Sequence, residues 1–155
     1  MTEDQLQFKI VTWFHNSIPE ERGYLYRTEN KTTKGARDKG LGLIKGVSDL
    51  HYTAPCSMRC YFELKVMSSR HEVTHLEEQL HFIELQEKRC GLGFFVFELE
   101  HFQTIMANIV PNGVNLLAHR MAKDSVNYIR DSVNYARESR CKTVMLNYDF
   151  KSMVV

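Results

Sequence analysis

Residues 46–66 read GVSDLHYTAPCSMRCYFELKV. Two runs with strand character, 47–52 and 60–67, flank the turn-like TAPCSMR, so the stretch predicts an antiparallel hairpin. Side chains alternate along a strand, which puts Tyr61, Glu63 and Lys65 on one side and Phe62, Leu64 and Val66 on the other, toward a core. Glu63 and Lys65 then stand about 6–7 Å apart. A charged pair there is costly to desolvate unless it finds partners. Asp49, on the preceding strand, supplies one if the register brings it level with Glu63.

Two carboxylates and an ammonium in one crevice are the parts for metal-assisted phosphodiester hydrolysis. Asp49 and Glu63 would hold Mg²⁺ (or Mn²⁺), a hard cation that takes oxygen ligands and keeps several waters. Such an ion polarises a phosphate and makes a nucleophile of bound water near neutral pH. Lys65 would orient that water or offset charge growing on the phosphate. The plainer alternative is a salt-bridged solvent face on an edge strand.

Upstream, residues 31–46 hold Lys31, Lys34, Arg37, Lys39 and Lys45 against a single acid, Asp38, with four of the eight glycines. This basic segment shows no periodicity, and its cations are candidates for phosphate contact. YLYRTEN (24–30) alternates as a half-buried strand does. Leu6, Ile10, Trp13 and Phe14 fall at helical spacing in residues 3–15.

Downstream, Ser69 and Glu72 have the spacing of a capping box. Val73, Leu76, Leu80 and Ile83 follow as an apolar helix stripe, with Gly91 as its stop. GFFVFELE (93–100) reads as a buried strand. DSVNYIR (124–130) is echoed at once by DSVNYAR (131–137), which makes an amphipathic helix of Val126, Ile129, Val133 and Ala136. Its apolar stripe calls for packing or dimerisation. TVMLNYDF (143–150) predicts a last strand. The expected class is α/β, a mixed sheet flanked by helices.

A chain of 155 residues suits one domain. Formal net charge is +1, so any basic surface must be local. No apolar run reaches the roughly 20 residues of a membrane helix, and MTEDQLQFK does not read as a targeting segment. The four cysteines read as reduced thiols. A soluble, cytoplasmic protein is expected. His71, His75 and Gln79 are spaced to share one helix face, and Cys56 and Cys60 sit near a turn. Two histidines at this spacing can bind a transition metal, and Cys56 and Cys60 can bind zinc with Cys90 or Cys141, but a polar face and free thiols are the simpler readings.

Asp49 followed by Glu63-x-Lys65 resembles the PD-(D/E)XK nuclease motif. The wider pattern is similar to the virus-type replication-repair nuclease (VRR-NUC) branch of that superfamily. It comprises an N-terminal helix, an extended segment ending near Glu29 and Asn30, a basic glycine-containing loop, GVSD (46–49), FELK (62–65), and a helix bearing Gln79. The likeness spans residues 3–105, within an expected nuclease core of 1–105, and leaves 106–155 as a helix and strand extension packed on the same domain. It implies a restriction-endonuclease-like fold and Mg²⁺- or Mn²⁺-dependent DNA cleavage. Small stand-alone members look like homodimeric resolvases of branched DNA such as Holliday junctions, often from phage. By this likeness Asp49 and Glu63 are metal ligands, Lys65 is the catalytic lysine, and Gln79 supports the site. An N-terminal acid, Glu29 or Glu3, completes the metal shell. Ser48 stands where the family has proline, which removes stiffness and no ligand. Nicking of duplex DNA, and nucleic-acid binding without turnover, are the alternatives.

Overall fold

The computed structural model describes residues 1–28 and 44–153. The elements run α1 (Glu3–Ser17), a 3₁₀ turn (Pro19–Tyr24), β1 (Leu25–Arg27), β2 (Leu50–Thr53), β3 (Arg59–Leu64), β4 (Ser69–Glu72), α2 (Val73–Glu87), β5 (Leu92–Val96), α3 (Leu99–Ala107), α4 (Leu116–Glu138), β6 (Thr143–Leu146) and a closing 3₁₀ turn (Phe150–Met153). The expected hairpin is β2–β3, with Leu50 opposite Phe62 and Thr53 opposite Arg59. β1 extends it antiparallel and β5 joins the far side of β3 in parallel, giving the mixed order β1-β2-β3-β5. β4 and β6 form a separate two-stranded sheet.

The α/β class with a mixed sheet flanked by helices is therefore observed. The alternation of β3 sorts two cores. Cys60, Phe62 and Leu64 pack with Leu6, Ile10 and Phe14 of α1 and Phe102 and Ile105 of α3. Tyr61 lies in the other core with Leu76 and Ile83 of α2 and Phe95 of β5. Gly93 lets α2 lie close on the sheet, since a Cβ there would come within 2.4 Å of Ile83 Cγ2. α4 serves both cores, with Ala118, Met121 and Ala122 in the first and Val126, Ile129, Val133 and Ala136 in the second. The apolar stripe of the heptad echo is thus buried within the chain. Arg130 and Arg137 of the same repeats pair with Glu84 and Glu77 of α2.

The outward edge of β5 is closed by side chains. Ser125 Oγ accepts from the Phe95 N–H at 3.0 Å while donating to the Ala122 carbonyl. His101 Nδ1 accepts from the Phe97 N–H at 3.3 Å. Both residues are fully buried, as expected where backbone donors would otherwise be stranded.

Several sequence expectations need correction. Ser69–Glu72 is strand β4 rather than a capping box, and Glu72 caps α2 without a side-chain hydrogen bond. Pairing with β6 (Ser69 opposite Leu146) is a distant contact that overrides the local signal. His71 therefore lies on a strand and does not share a helix face with His75 and Gln79. α2 ends at Glu87, and the left-handed residue after it is Cys90 (φ 64°), with Gly91 closing onto the Gln86 carbonyl. The strand expected at 93–100 stops at Val96, and helix α3 begins at Leu99. All four cysteines are free, Cys60 buried and Cys56 exposed. Among the described residues no helix is long and apolar enough to cross a membrane.

His101 gives this core a defined pH response. Its ring is stacked on Phe150 at 4.6 Å and on Phe97 at 6.3 Å, and burial lowers its pKa to about 3. The unfolded chain takes up that proton near the ordinary value of 6.5, so the native state is favoured above it and loses ground as pH falls. The slope is about 1.4 kcal/mol per pH unit between those values. In urea unfolding from pH 7 to 5, His101→Phe should remove about 2 kcal/mol of the acid loss seen in the parent. Parallel pH profiles for the two proteins would contradict this.

Candidate active site

The site forms where the hairpin meets the start of α1 and the middle of α2. Gly46 lies in a turn with φ 77°, and a Cβ there would sit 2.3 Å from the Glu78 carbonyl oxygen. Only glycine lets the incoming chain lie this flat on α2, one residue from Gln79. The Thr28 hydroxyl then donates to the Ser48 carbonyl, and the Thr28 N–H to the Asp49 carbonyl at 3.2 Å. These contacts fix the approach where Ser48 replaces the proline of the resembled motif.

One step beyond the Leu50–Phe62 pair, the same register sets Asp49 directly opposite Glu63. Asp49 Oδ2 accepts from the Leu64 N–H at 2.8 Å, which anchors its carboxylate to β3. Glu63 Oε1 accepts from Gln79 Nε2 at 2.7 Å and from Lys65 Nζ at 3.3 Å. Lys65 Nζ also lies 3.6 Å from Glu3 Oε1. His71 Nδ1 lies 3.7 Å from the same oxygen, while its Nε2 is 3.2 Å from the Val66 carbonyl. Thr2 holds Glu3 in place through a capping box, its side chain accepting from the Gln5 N–H while Gln5 returns a bond to the Thr2 N–H.

The electrostatics are unusual for a pleated sheet. Glu63 and Lys65 are each only 1% exposed. Burial pushes the Glu63 carboxyl well above its ordinary range, opposed by Lys65 and reinforced by the facing Asp49 and then by Glu3. Burial pulls Lys65 down, but Glu63, Glu3 and Asp49 outweigh it and hold the ammonium charged. Burial also lowers His71, leaving a neutral imidazole beside Glu3. A protonated Glu63 would donate to Asp49. With both ionised, each is an acceptor only, and buried Glu63 Oε2 and Gln79 Oε1 are left without hydrogen-bond partners.

An orphaned carboxylate oxygen facing a second carboxylate is a seat for positive charge. Among the described residues no three His, Cys, Asp or Glu side chains assemble a ready metal cage. Two carboxylates suit an oxygen-seeking cation that keeps several of its waters, such as Mg²⁺ or Mn²⁺, better than a metal that prefers nitrogen or sulfur ligands, such as Zn²⁺.

Asp49, Glu63, Lys65 and Gln79 are thus brought together. Glu3 reaches Lys65. Glu29, Lys31, Lys34, Arg37 and Lys39 lie outside the described residues, and Lys45 is exposed beside Gly46. His75 is half exposed and faces Glu78 instead of this cluster. Thr28 escapes the sequence reading, and His71 is assigned there to a helix face, because their roles depend on pairing between segments distant in sequence. No family model, curated protein or solved structure matches the chain.

The buried pair should show strong coupling. Glu63→Ala and Lys65→Met should each cost about 3–5 kcal/mol, since each strands a charged or polar partner. The double variant should lose less than their sum by about 1 kcal/mol or more. Additive losses in urea unfolding would mean that the two groups do not act as one unit.

Proposed function

We propose that this chain is a metal-dependent DNA endonuclease of the PD-(D/E)XK superfamily, with a restriction-endonuclease-like arrangement around β1-β2-β3-β5. The observation that carries the reading is the register-enforced meeting of Asp49 and Glu63, with Glu63 Oε2 unpartnered and a charged Lys65 in the same crevice. A four-residue constellation in motif order, on facing strands and an adjacent helix, is more specific than the bare sequence match.

Asp49 and Glu63 would hold the Mg²⁺ or Mn²⁺, which supplies phosphate polarisation and an activated water. Gln79 fastens Glu63 Oε1 and so leaves Oε2 for the cation. Lys65 keeps a proton in a crevice of low water content, where a donor aimed at developing phosphate charge is worth far more than in bulk solvent. Glu3, whose carboxylate is held by Lys65 and His71, is one candidate for the acid that would complete the shell, and Glu29 is the other. The basic run 31–45 offers phosphate contacts without base specificity.

Branched DNA as the substrate and a homodimer as the working form rest on the resemblance to small VRR-NUC resolvases. A two-fold dimer would present paired sites to a junction of matching symmetry.

The test is incubation of purified protein with a four-way junction, a nicked flap and a plain duplex, in Mg²⁺, Mn²⁺ and EDTA. Symmetric paired incisions at the junction, requiring metal, are expected. Glu63→Ala and Lys65→Ala should each slow them by about a hundredfold or more. Equal cutting of the plain duplex would favour a nicking or restriction-like enzyme. Salt-dependent binding with no cleavage in either metal would contradict the nuclease reading and leave a binding module.

A further inference from the structure

One row of the main sheet is not used by the chemistry above. Tyr26 of β1, His51 of β2 and Tyr61 of β3 lie directly opposite one another. Their rings touch in sequence: Tyr26 to His51 at 5.5 Å and His51 to Tyr61 at 4.6 Å. Phe82 of α2 backs both His51 and Tyr61. Exposure rises along the row, from 5% at Tyr61 to 54% at Tyr26, on the last strand of the sheet order.

This row shares a face with the catalytic one. Tyr61 and Glu63 are two apart on β3, and His51 and Asp49 are two apart on β2, so each pair points the same way. Strand spacing and rise put the Tyr26 Cα roughly 8 Å from that of Asp49, about the reach of one nucleotide. The His51 ring is half-buried, and its Nε2 is buried without a hydrogen-bond partner. A tyrosine in tilted ring contact with His51 and half exposed gives an aromatic surface at little entropic cost.

We infer that the Tyr26–His51 ledge stacks an unpaired nucleobase one nucleotide from the scissile phosphate, and so selects DNA whose bases are free to leave the helix. Stacking on an aromatic face is tolerant of base identity. A base still paired in duplex offers no such face, so the ledge discriminates structure and not sequence. The inference rests on the nuclease reading for the place of the phosphate, but its test does not require cleavage.

The probe is a branched DNA carrying 2-aminopurine at the unpaired position beside the branch, and a matched duplex carrying it within a paired stretch. Fluorescence is read in EDTA, so no strand is cut. The parent protein and Tyr26→Phe should quench the branched probe severalfold and leave the paired one little changed. Tyr26→Ala should lose the quench and weaken branched binding about tenfold, with duplex binding unchanged. Tyr26 is exposed, so this variant should fold, which its unfolding midpoint checks.

Equal quenching by Tyr26→Ala, an equal loss on both DNAs, or absence of binding by the parent would overturn the ledge. A Tyr26→Ala variant that changes only the oligomeric mass would overturn it in favour of a protein contact. Selective quenching without metal-dependent cleavage would keep the ledge and remove the nuclease.

Discussion

Because side chains alternate across a strand, pairing Leu50 with Phe62 obliges Asp49 to stand against Glu63. A slip of one residue between β2 and β3 would send Asp49 to the opposite face and expose Leu50 on its own. The apolar half of the hairpin thus guards the polar half. Leu50, Phe62 and Leu64 are almost fully buried in one core, and that burial is what makes the carboxylate pairing non-negotiable. Asp49 adds its own lock by accepting from the Leu64 N–H.

Around that register the molecule accepts a local loss of stability. Two fully buried ionisable groups at the end of β3 and just past it, with a second carboxylate facing Glu63, are a poor way to hold a sheet together, since an apolar pair of similar size would often be as stable or more so. The surrounding structure absorbs the cost. α2 contributes Gln79, Gly46 lets the hairpin's approach lie on the α2 backbone, and α1 begins with Glu3 capped by Thr2. Rigid elements therefore present the polar groups, and with both carboxylates ionised Glu63 Oε2 is left without a hydrogen-bond partner.

Much of this was readable from local pattern. The hairpin, the helix stripe of Val73, Leu76, Leu80 and Ile83, and the long amphipathic helix of the DSVNY echo each carry their own period. So do Glu63 and Lys65, whose alternation with Phe62 and Leu64 separates them from the core. The failures share a different physics. Ser69–Glu72 looks like a helix start until β6 pairs with it, some seventy residues away in the chain. The helix Leu99–Ala107 has Glu98 as its N-cap with no side-chain cap hydrogen bond, so nothing local marks its start, the strand expected at 93–100 overlaps its first two residues, and the rest carries no assignment. His101 and Ser125 gave no signal, because closing the edge of β5 is a need that exists only once the sheet is assembled. Glu3 comes to Lys65 only because of where α1 begins in space, which no local pattern encodes.

The claim that organises the site is that Asp49 and Glu63 together seat a divalent cation. Titrating the protein with Mn²⁺ and following the free-ion signal by electron paramagnetic resonance tests it without any nucleic acid. The account predicts saturable binding, competed by Mg²⁺, that is lost in both Asp49→Asn and Glu63→Gln while the fold is retained. Mn²⁺ binding that persists in both variants, or none in the parent, would contradict it.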